Sequence, residues 1–203
     1  MAAVITGTSS QERACLIMDG NYLGIEAAKK HFGVIPTVDQ LKALEEVPFS
    51  EETLRECCKT HVLVAVFPIS ILEIRERVPK LFCEQEWYDD QPFARKTCIE
   101  WCLVRKTEIP NSDNKTWKEQ FSLIPSGDKI LPAQEIVYAM TLHFLVTTEE
   151  LFPFIYVRTS SLDSDGNIVA LGFFHGNLVF DNDGFDVHDY SLFISSARQP
   201  NKI

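Results

Sequence analysis

The stretch that decides the fold is FIYVRTSSLDSDGNIVALGFF, residues 154–174. Two runs of β-forming residues flank Asp163-Ser-Asp-Gly166, a sequence typical of the tight turn between antiparallel strands. This pattern predicts a hairpin with strands over 154–160 and 167–174, followed by shorter strands over 178–180 and 190–195. We therefore expect the carboxy-terminal part of the chain to form a mostly antiparallel sheet.

The clearest helix of the chain precedes this hairpin and runs from Pro132 to Val146. Its apolar residues recur at helical spacing on one face, and Tyr138 and Leu142 make the opposite face apolar too, which predicts a buried helix. Helical patterns dominate residues 1–60, and strands dominate the end of the chain. The sequence thus predicts an α+β fold, with a helical amino-terminal region and a buried central helix packed on a mostly antiparallel carboxy-terminal sheet. We expect a single domain over 1–203, with 1–60 as the helical region and 61–203 as the α+β body.

The charge balance limits the classes of partner. Nineteen basic and twenty-nine acidic side chains give a net charge of -10, which repels nucleic-acid phosphates and anionic membranes. The first fifteen residues lack the basic start and apolar run of a signal peptide, and no segment offers about 18 apolar residues for a membrane span. We therefore predict a cytoplasmic protein that binds neither nucleic acid nor a membrane.

The six cysteines are expected to be thiols in that compartment. Cys57-Cys58 with His61, and the pair Cys98 and Cys102, could be assembled into a zinc site, but neither pair has CxxC spacing. Core packing is the favoured interpretation of the cysteines, and we predict no cofactor, with a divalent metal as the alternative.

The segment CEQEWYDDQPF, residues 83–93, mixes acidic and aromatic residues without a period and is predicted to be an ordered loop. Trp87, Tyr88 and Phe93 could present a recognition surface to a protein or small-molecule ligand, because aromatic side chains supply large contact area at small entropic cost. The same residues could instead anchor the loop to the core.

Two acidic turns are candidates for a divalent metal. Asp163-x-Asp165-Gly166 and Asp181-x-Asp183-Gly184 each place two carboxylates before a glycine, as calcium loops do, although other ligand positions of such loops are missing. The second turn is the better candidate, since Asp186 and His188 follow closely. The predicted ligands are Asp181, Asp183, Asp186 and His188, with a solvated turn as the alternative.

The segment ACLIMDGN, residues 14–21, is similar to the opening of PIN-like and NYN-like nucleases. That resemblance implies a strand that delivers Asp19 as the first ligand of a catalytic metal. The further strands that should end in acids are missing, because the apolar run 62–67 ends in Pro68. A glycine-containing turn between helices is the alternative.

Residues 62–198, with EWCLVRK, IPNSDNKTWKEQ and EIVYAMTLHF, resemble a group of uncharacterised bacterial hypothetical proteins. The resemblance implies a unit that recurs in bacteria and mobile elements, and it carries over no catalytic residue. No histidine or serine has a nucleophile elbow around it. We therefore predict a non-enzymatic binding or protein-interaction module, with a divalent-metal-dependent hydrolase or nuclease as the alternative.

Overall fold

The computed structural model describes residues 9–200, so the first eight residues, on which the expectation of no signal peptide partly rests, lie outside it. The α-helices of the described range are α1 Ser10–Met18, α2 Ile25–Phe32, α3 Val38–Ala43, α4 Glu51–Cys57, α5 Ile71–Arg77, α6 Trp117–Phe121 and α7 Ala133–Thr147. The strands are β1 Tyr22–Leu23, β2 His61–Val66, β3 Glu100–Arg105, β4 Asp128–Lys129, β5 Tyr156–Leu162, β6 Ile168–Phe174, β7 Asn177–Asp183, β8 Leu192–Ile194 and β9 Ala197–Arg198. The α+β prediction is confirmed.

Local hydrogen bonds set where the early helices begin. Ser9 caps α1 in a reciprocal pair with Glu12, and Ser70 caps α5 in the same way with Glu73. Such capping boxes satisfy two backbone N–H groups that the first helical turn leaves free. The Ser9 box starts a helix that runs through Ala14 to Met18, so this apolar run is not the strand that the nuclease resemblance implied.

The strands form two sheets. The first has the order β1-β2-β3-β9-β4, in which the β1–β2 pair alone is parallel. The second has the order β7-β6-β5-β8 and contains the predicted hairpin as β5 and β6. Its β5–β8 pair is parallel, so the carboxy-terminal sheet is mostly antiparallel, as the sequence predicted.

Helix α7 contacts strands of both sheets, β2 and β3 of the first sheet and β5 and β6 of the second. Residues 133–143 of α7 are all buried, which matches its two-faced apolar pattern. Buried apolar residues from Ala14 to Ala197 form one contiguous core around this helix. Within residues 9–200, no helix combines the length and the apolar character needed to cross a bilayer.

Replacing Met140 in α7 with alanine should cost about 2 to 5 kcal/mol of unfolding free energy, because the side chain is fully buried and would leave a cavity. Val146→Ala on the same helix is the matched control, since that side chain is 42% exposed. Chemical denaturation of both variants checks this. Equal losses for the two would contradict the central position of α7.

Candidate functional site

The two acidic turns lie side by side because β6 and β7 pair over their whole length, from Ile168 opposite Asp183 to Phe174 opposite Asn177. Asp163, in the turn before β6, accepts a hydrogen bond of 2.7 Å from the side-chain amide of Asn182 in β7. The structure thus merges two turns that the sequence analysis treated as separate sites.

Asp163 is a structural residue of this pair of turns. Its Oδ1 accepts hydrogen bonds from the backbone N–H groups of Asp165 and Asn167, at 2.9 and 2.8 Å. Burial alone would raise the pKa of Asp163, but these hydrogen bonds and those from the side chains of Asn167 and Asn182 outweigh it and lower the pKa. Its carboxylate therefore fixes the turn, and Gly166 completes the turn at φ 86°.

The aromatic loop, residues 83–93, is held against these turns by two glutamines. The side chain of Gln85 accepts from the backbone N–H of Phe180 and donates to its carbonyl, both at 2.9 Å, as a neighbouring strand would. Gln91 Oε1 accepts from the backbone N–H of Ser164 at 2.8 Å. The predicted ordered loop therefore follows the free edge of β7 and ends at the Asp163 turn.

Two of the three predicted ligand-binding aromatics are core residues. Tyr88 and Phe93 are buried, at 0% and 1% exposure, and the ring of Tyr88 lies 4.4 Å from that of Phe180. Neither can present a recognition surface in this structure, because the loop uses them to attach itself to the sheet. Trp87 packs on Phe93 but keeps part of its ring exposed.

The exposed part of Trp87 lines a cavity of about 480 Å³, which we call the Trp87 pocket. Two exposed aspartates, Asp165 and Asp181, line it together with Trp87. Among residues 9–200, the pocket is lined by no lysine, arginine or histidine, and its lining residues are Gln85, Trp87, Gln91, Asp163, Asp165, Phe180, Asp181 and Asn182. The pocket therefore combines an aromatic wall with an uncompensated negative charge.

The carboxylate of Asp183 forms an ion pair with an arginine of the same chain. Arg158, which is completely buried, donates from Nε and Nη2 to the two carboxylate oxygens of Asp183 at 2.8 and 2.5 Å. Both oxygens of Asp183 are used in this bidentate pair, so it is neither a free metal ligand nor part of a solvated turn. Sequence reasoning missed this pair because its two residues are 25 positions apart.

The remaining predicted metal ligands do not converge. Asp186 and His188 are exposed, and the ring of His188 donates from Nδ1 to the carbonyl of Asn114 at 3.2 Å. Within residues 9–200, none of Asp181, Asp183, Asp186 and His188 belongs to a group of three potential ligands whose ligand atoms lie within 4.8 Å of one another.

Asp19 lies at the carboxyl end of α1 and lines a different cavity, of about 610 Å³. Lys59, Lys106, His143 and Glu149 also line this cavity, so its charges are mixed. In the described part of the chain, Asp19 is in no group of three clustered ligands either. The geometry implied by the nuclease resemblance is not formed around it.

Sequence reasoning named Cys98 as a candidate ligand but missed the two glutamates that lie beside it, in a partly buried polar cluster between β3 and α7. Cys98, Glu100 and Glu135 place one thiol sulfur and two carboxylate oxygens within 4.8 Å of one another. We call these three residues the thiol–carboxylate cluster. Burial, reinforced by the charge of Glu100, raises the pKa of Glu135 to about 7, and burial beside Glu135 raises the pKa of Cys98 to about 12. Lys129 lies 3.5 Å from Glu100 and 3.7 Å from Glu135.

The other cysteine candidate does not form a cluster. Cys57 is buried, Cys58 donates from its thiol to the carbonyl of Arg55, and His61 shares a hydrogen bond with Thr60. All six cysteines lie within the described residues, and none is in a disulfide.

Comparisons with protein-family models, with curated proteins and with solved structures found no match to this chain. The resemblance to bacterial proteins therefore stays a prediction.

Replacing Asp183 with asparagine should destabilise the protein by about 3 to 5 kcal/mol, because it leaves the buried guanidinium of Arg158 without its counter-ion. Asp186→Asn is the matched control and should change stability by less than about 0.5 kcal/mol, since Asp186 is exposed. Urea denaturation of the two variants measures the difference. Similar small losses for both would show that the Arg158–Asp183 pair is not closed in solution.

His61 should make the protein less stable as the pH falls. Burial lowers its pKa to about 4, against an ordinary value near 6.5, and its Nε2 has no hydrogen-bond partner. Between pH 6.5 and 4 the unfolded chain therefore binds a proton that the native state does not, which costs on the order of 2 kcal/mol. Unfolding free energies measured at both pH values should show this loss in wild type and less of it in His61→Gln. The exposed His188→Gln control should keep the wild-type loss, and equal losses in all three proteins would exclude His61 as its cause.

Proposed function

We propose that this protein is a non-enzymatic binding module, and that its Trp87 pocket receives a basic side chain of a partner protein. The observation that carries the proposal is that Trp87, Asp165 and Asp181 line one cavity, and that none of the described residues lining it is basic. The net charge of -10 adds long-range attraction for a basic partner.

The chemistry of the pocket favours a cation over a neutral ligand. A lysine ammonium or arginine guanidinium placed over an indole is attracted by the ring, and neighbouring carboxylates add charge-assisted hydrogen bonds. Asp165 and Asp181 are exposed and can turn toward such a group. The cavity of about 480 Å³ lies at the lower end of the range of ligand pockets, which suits a side chain better than a large cofactor.

The walls of the pocket are fixed before a ligand arrives. Gln85 bonds to the backbone of β7, Gln91 bonds to the Asp163 turn, and Asp163 holds that turn by its own carboxylate. Binding therefore orders few additional groups and loses little conformational entropy, so even a weak contact of this size can be specific.

A hard divalent cation is the alternative occupant, because Asp163, Asp165 and Asp181 offer oxygen ligands. This alternative would connect the pocket with the metal-dependent hydrolase predicted as the second function. We favour the basic side chain, because the oxygens of Asp163 already accept hydrogen bonds from the chain and Trp87 is not a metal ligand. We also propose a cytoplasmic location, in keeping with six free thiols.

The test uses the three tryptophans as internal reporters. N-acetyl-arginine amide and N-acetyl-lysine amide are titrated into the protein while the indole N–H signals of Trp87, Trp101 and Trp117 are followed by NMR. The signal of Trp87 alone should shift and saturate, while Trp101, whose indole donates to the carbonyl of Leu44, should not move. Neutral N-acetyl-norleucine amide should cause no shift.

The matched variants separate the pocket from the overall charge. Asp165→Asn with Asp181→Asn should weaken binding of the arginine probe at least about tenfold, which corresponds to 1.4 kcal/mol. Asp39→Asn with Asp186→Asn removes the same charge from exposed positions outside the pocket and should bind as wild type does. Equal weakening by both pairs would reject the pocket. Saturation by Mg²⁺, Mn²⁺ or Ca²⁺ that excludes arginine would favour the metal alternative.

A further inference from the structure

We propose that the thiol–carboxylate cluster, Cys98, Glu100 and Glu135, is a zinc-binding site at the junction of β3 and the first turn of α7. The site is separate from the Trp87 pocket and shares no residue with it. A test of the zinc site is therefore independent of a test of the proposed function.

The fold brings the ligands together by strand alternation. Successive side chains of a strand point to opposite faces, so Cys98, Glu100 and Cys102, at alternate positions in and just before β3, lie toward one face. Glu135, the third residue of α7, approaches this face, and its Oε2 accepts a hydrogen bond of 3.3 Å from the thiol of Cys102. Two backbone elements that are far apart in the sequence thus hold the three ligand atoms.

The ligand set fits zinc better than calcium or magnesium. Zinc accepts cysteine sulfur at about 2.3 Å and carboxylate oxygen at about 2.0–2.2 Å in a tetrahedron, in which the ligand atoms lie about 3.5 Å apart. The three ligand atoms lie within 4.8 Å of one another, so small changes in side-chain conformation are enough to bring them to the separation of zinc ligands. Hard cations prefer all-oxygen sites, whereas a thiolate selects softer metals. Water completes the fourth position, and Cys102 orients Glu135.

The protein already places a cation beside these carboxylates. The ammonium of Lys129 lies 3.5 Å from Glu100 Oε1 and 3.7 Å from Glu135 Oε2. One ammonium faces two carboxylates, so it balances at most one of their two negative charges when both are ionised. Lys129 is one-third exposed and can swing outward, which also opens an entry path for the metal.

The proton balance of binding is simple. The thiol of Cys98 gives up its proton to the buffer as its sulfur bonds to the metal. Glu135, whose pKa is raised to about 7, also gives its proton to the buffer in the molecules where it is protonated, and Glu100 binds as a carboxylate. No electron is transferred. Displacement of the Lys129 ammonium costs affinity, so removal of that ammonium should make binding tighter.

Cobalt(II) in place of zinc gives a direct readout of the sulfur ligand. The full chain, freed of metal by a chelator, is titrated with Co²⁺ and then with Zn²⁺. We expect one equivalent to bind with a thiolate-to-cobalt charge-transfer band and the visible bands of a tetrahedral ion, and zinc to remove them. The melting temperature should rise with zinc and not with Mg²⁺.

The variants identify the ligands. Cys98→Ser and Glu135→Gln should each bind at least tenfold more weakly, and Cys98→Ser should also lose the thiolate-to-cobalt band because it lacks the sulfur ligand. Cys83→Ser, outside the cluster, should bind as wild type does. Lys129→Met should bind more tightly, and this result supports the site even where Glu135→Gln fails to fold. Absence of a cobalt–thiolate band in wild type, its persistence in Cys98→Ser, or weaker binding in Lys129→Met would overturn the proposal.

Discussion

The carboxy-terminal part of the protein depends on one buried cation, the guanidinium of Arg158. Arg158 has no exposed surface, and removing such a charge from water is expensive unless every donor finds a partner. All five of its N–H groups do, because they donate to the Asp183 carboxylate, to the side chain of Gln120, and to the carbonyls of Lys115 and Val187. These bonds join β5 to the end of β7, to the segment after it and to α6. The acidic stretch 181–189 is therefore organised around a charge of the protein itself rather than a bound ion.

The position of the Trp87 pocket follows from this arrangement. The charge of Asp183 is neutralised by Arg158, so Asp181 and Asp165 provide the exposed negative charge beside Trp87. The loop that carries Trp87 also covers the outer edge of β7, where Gln85 pairs with the backbone as a strand would. A free sheet edge invites pairing with other chains, and covering it is a common protection. One loop thus protects the sheet and builds a wall of the candidate site.

The parts of the fold that depend on local pattern were predictable from the sequence, and those that depend on long-range register were not. The hairpin around Asp163–Gly166 and the burial of α7 follow from turn chemistry and apolar periodicity, and both are observed. No local sequence pattern indicates that β5 pairs with β8 in parallel. For the same reason, no local pattern indicated that Asp183 pairs with Arg158, or that Glu135 lies beside Cys102, which is 33 residues away in the sequence. An arginine within a predicted strand was the available signal for a buried counter-ion.

The charges around Arg158, in the Trp87 pocket and in the thiol–carboxylate cluster differ in how completely opposite charges and hydrogen bonds compensate them. That difference separates a structural group from the two candidate sites. Around Arg158 every donor is paired, so nothing remains for a ligand to satisfy. In the part of the chain that the structure describes, no basic residue lines the Trp87 pocket, and in the thiol–carboxylate cluster one lysine lies 3.5 and 3.7 Å from two glutamates. Incomplete compensation of buried or clustered charge costs stability, and proteins accept such local conflicts mostly where they serve binding or chemistry. The unsatisfied charge, rather than the number of acidic residues, is therefore the physical reason to look for ligands at these two places and not at the Asp183 turn.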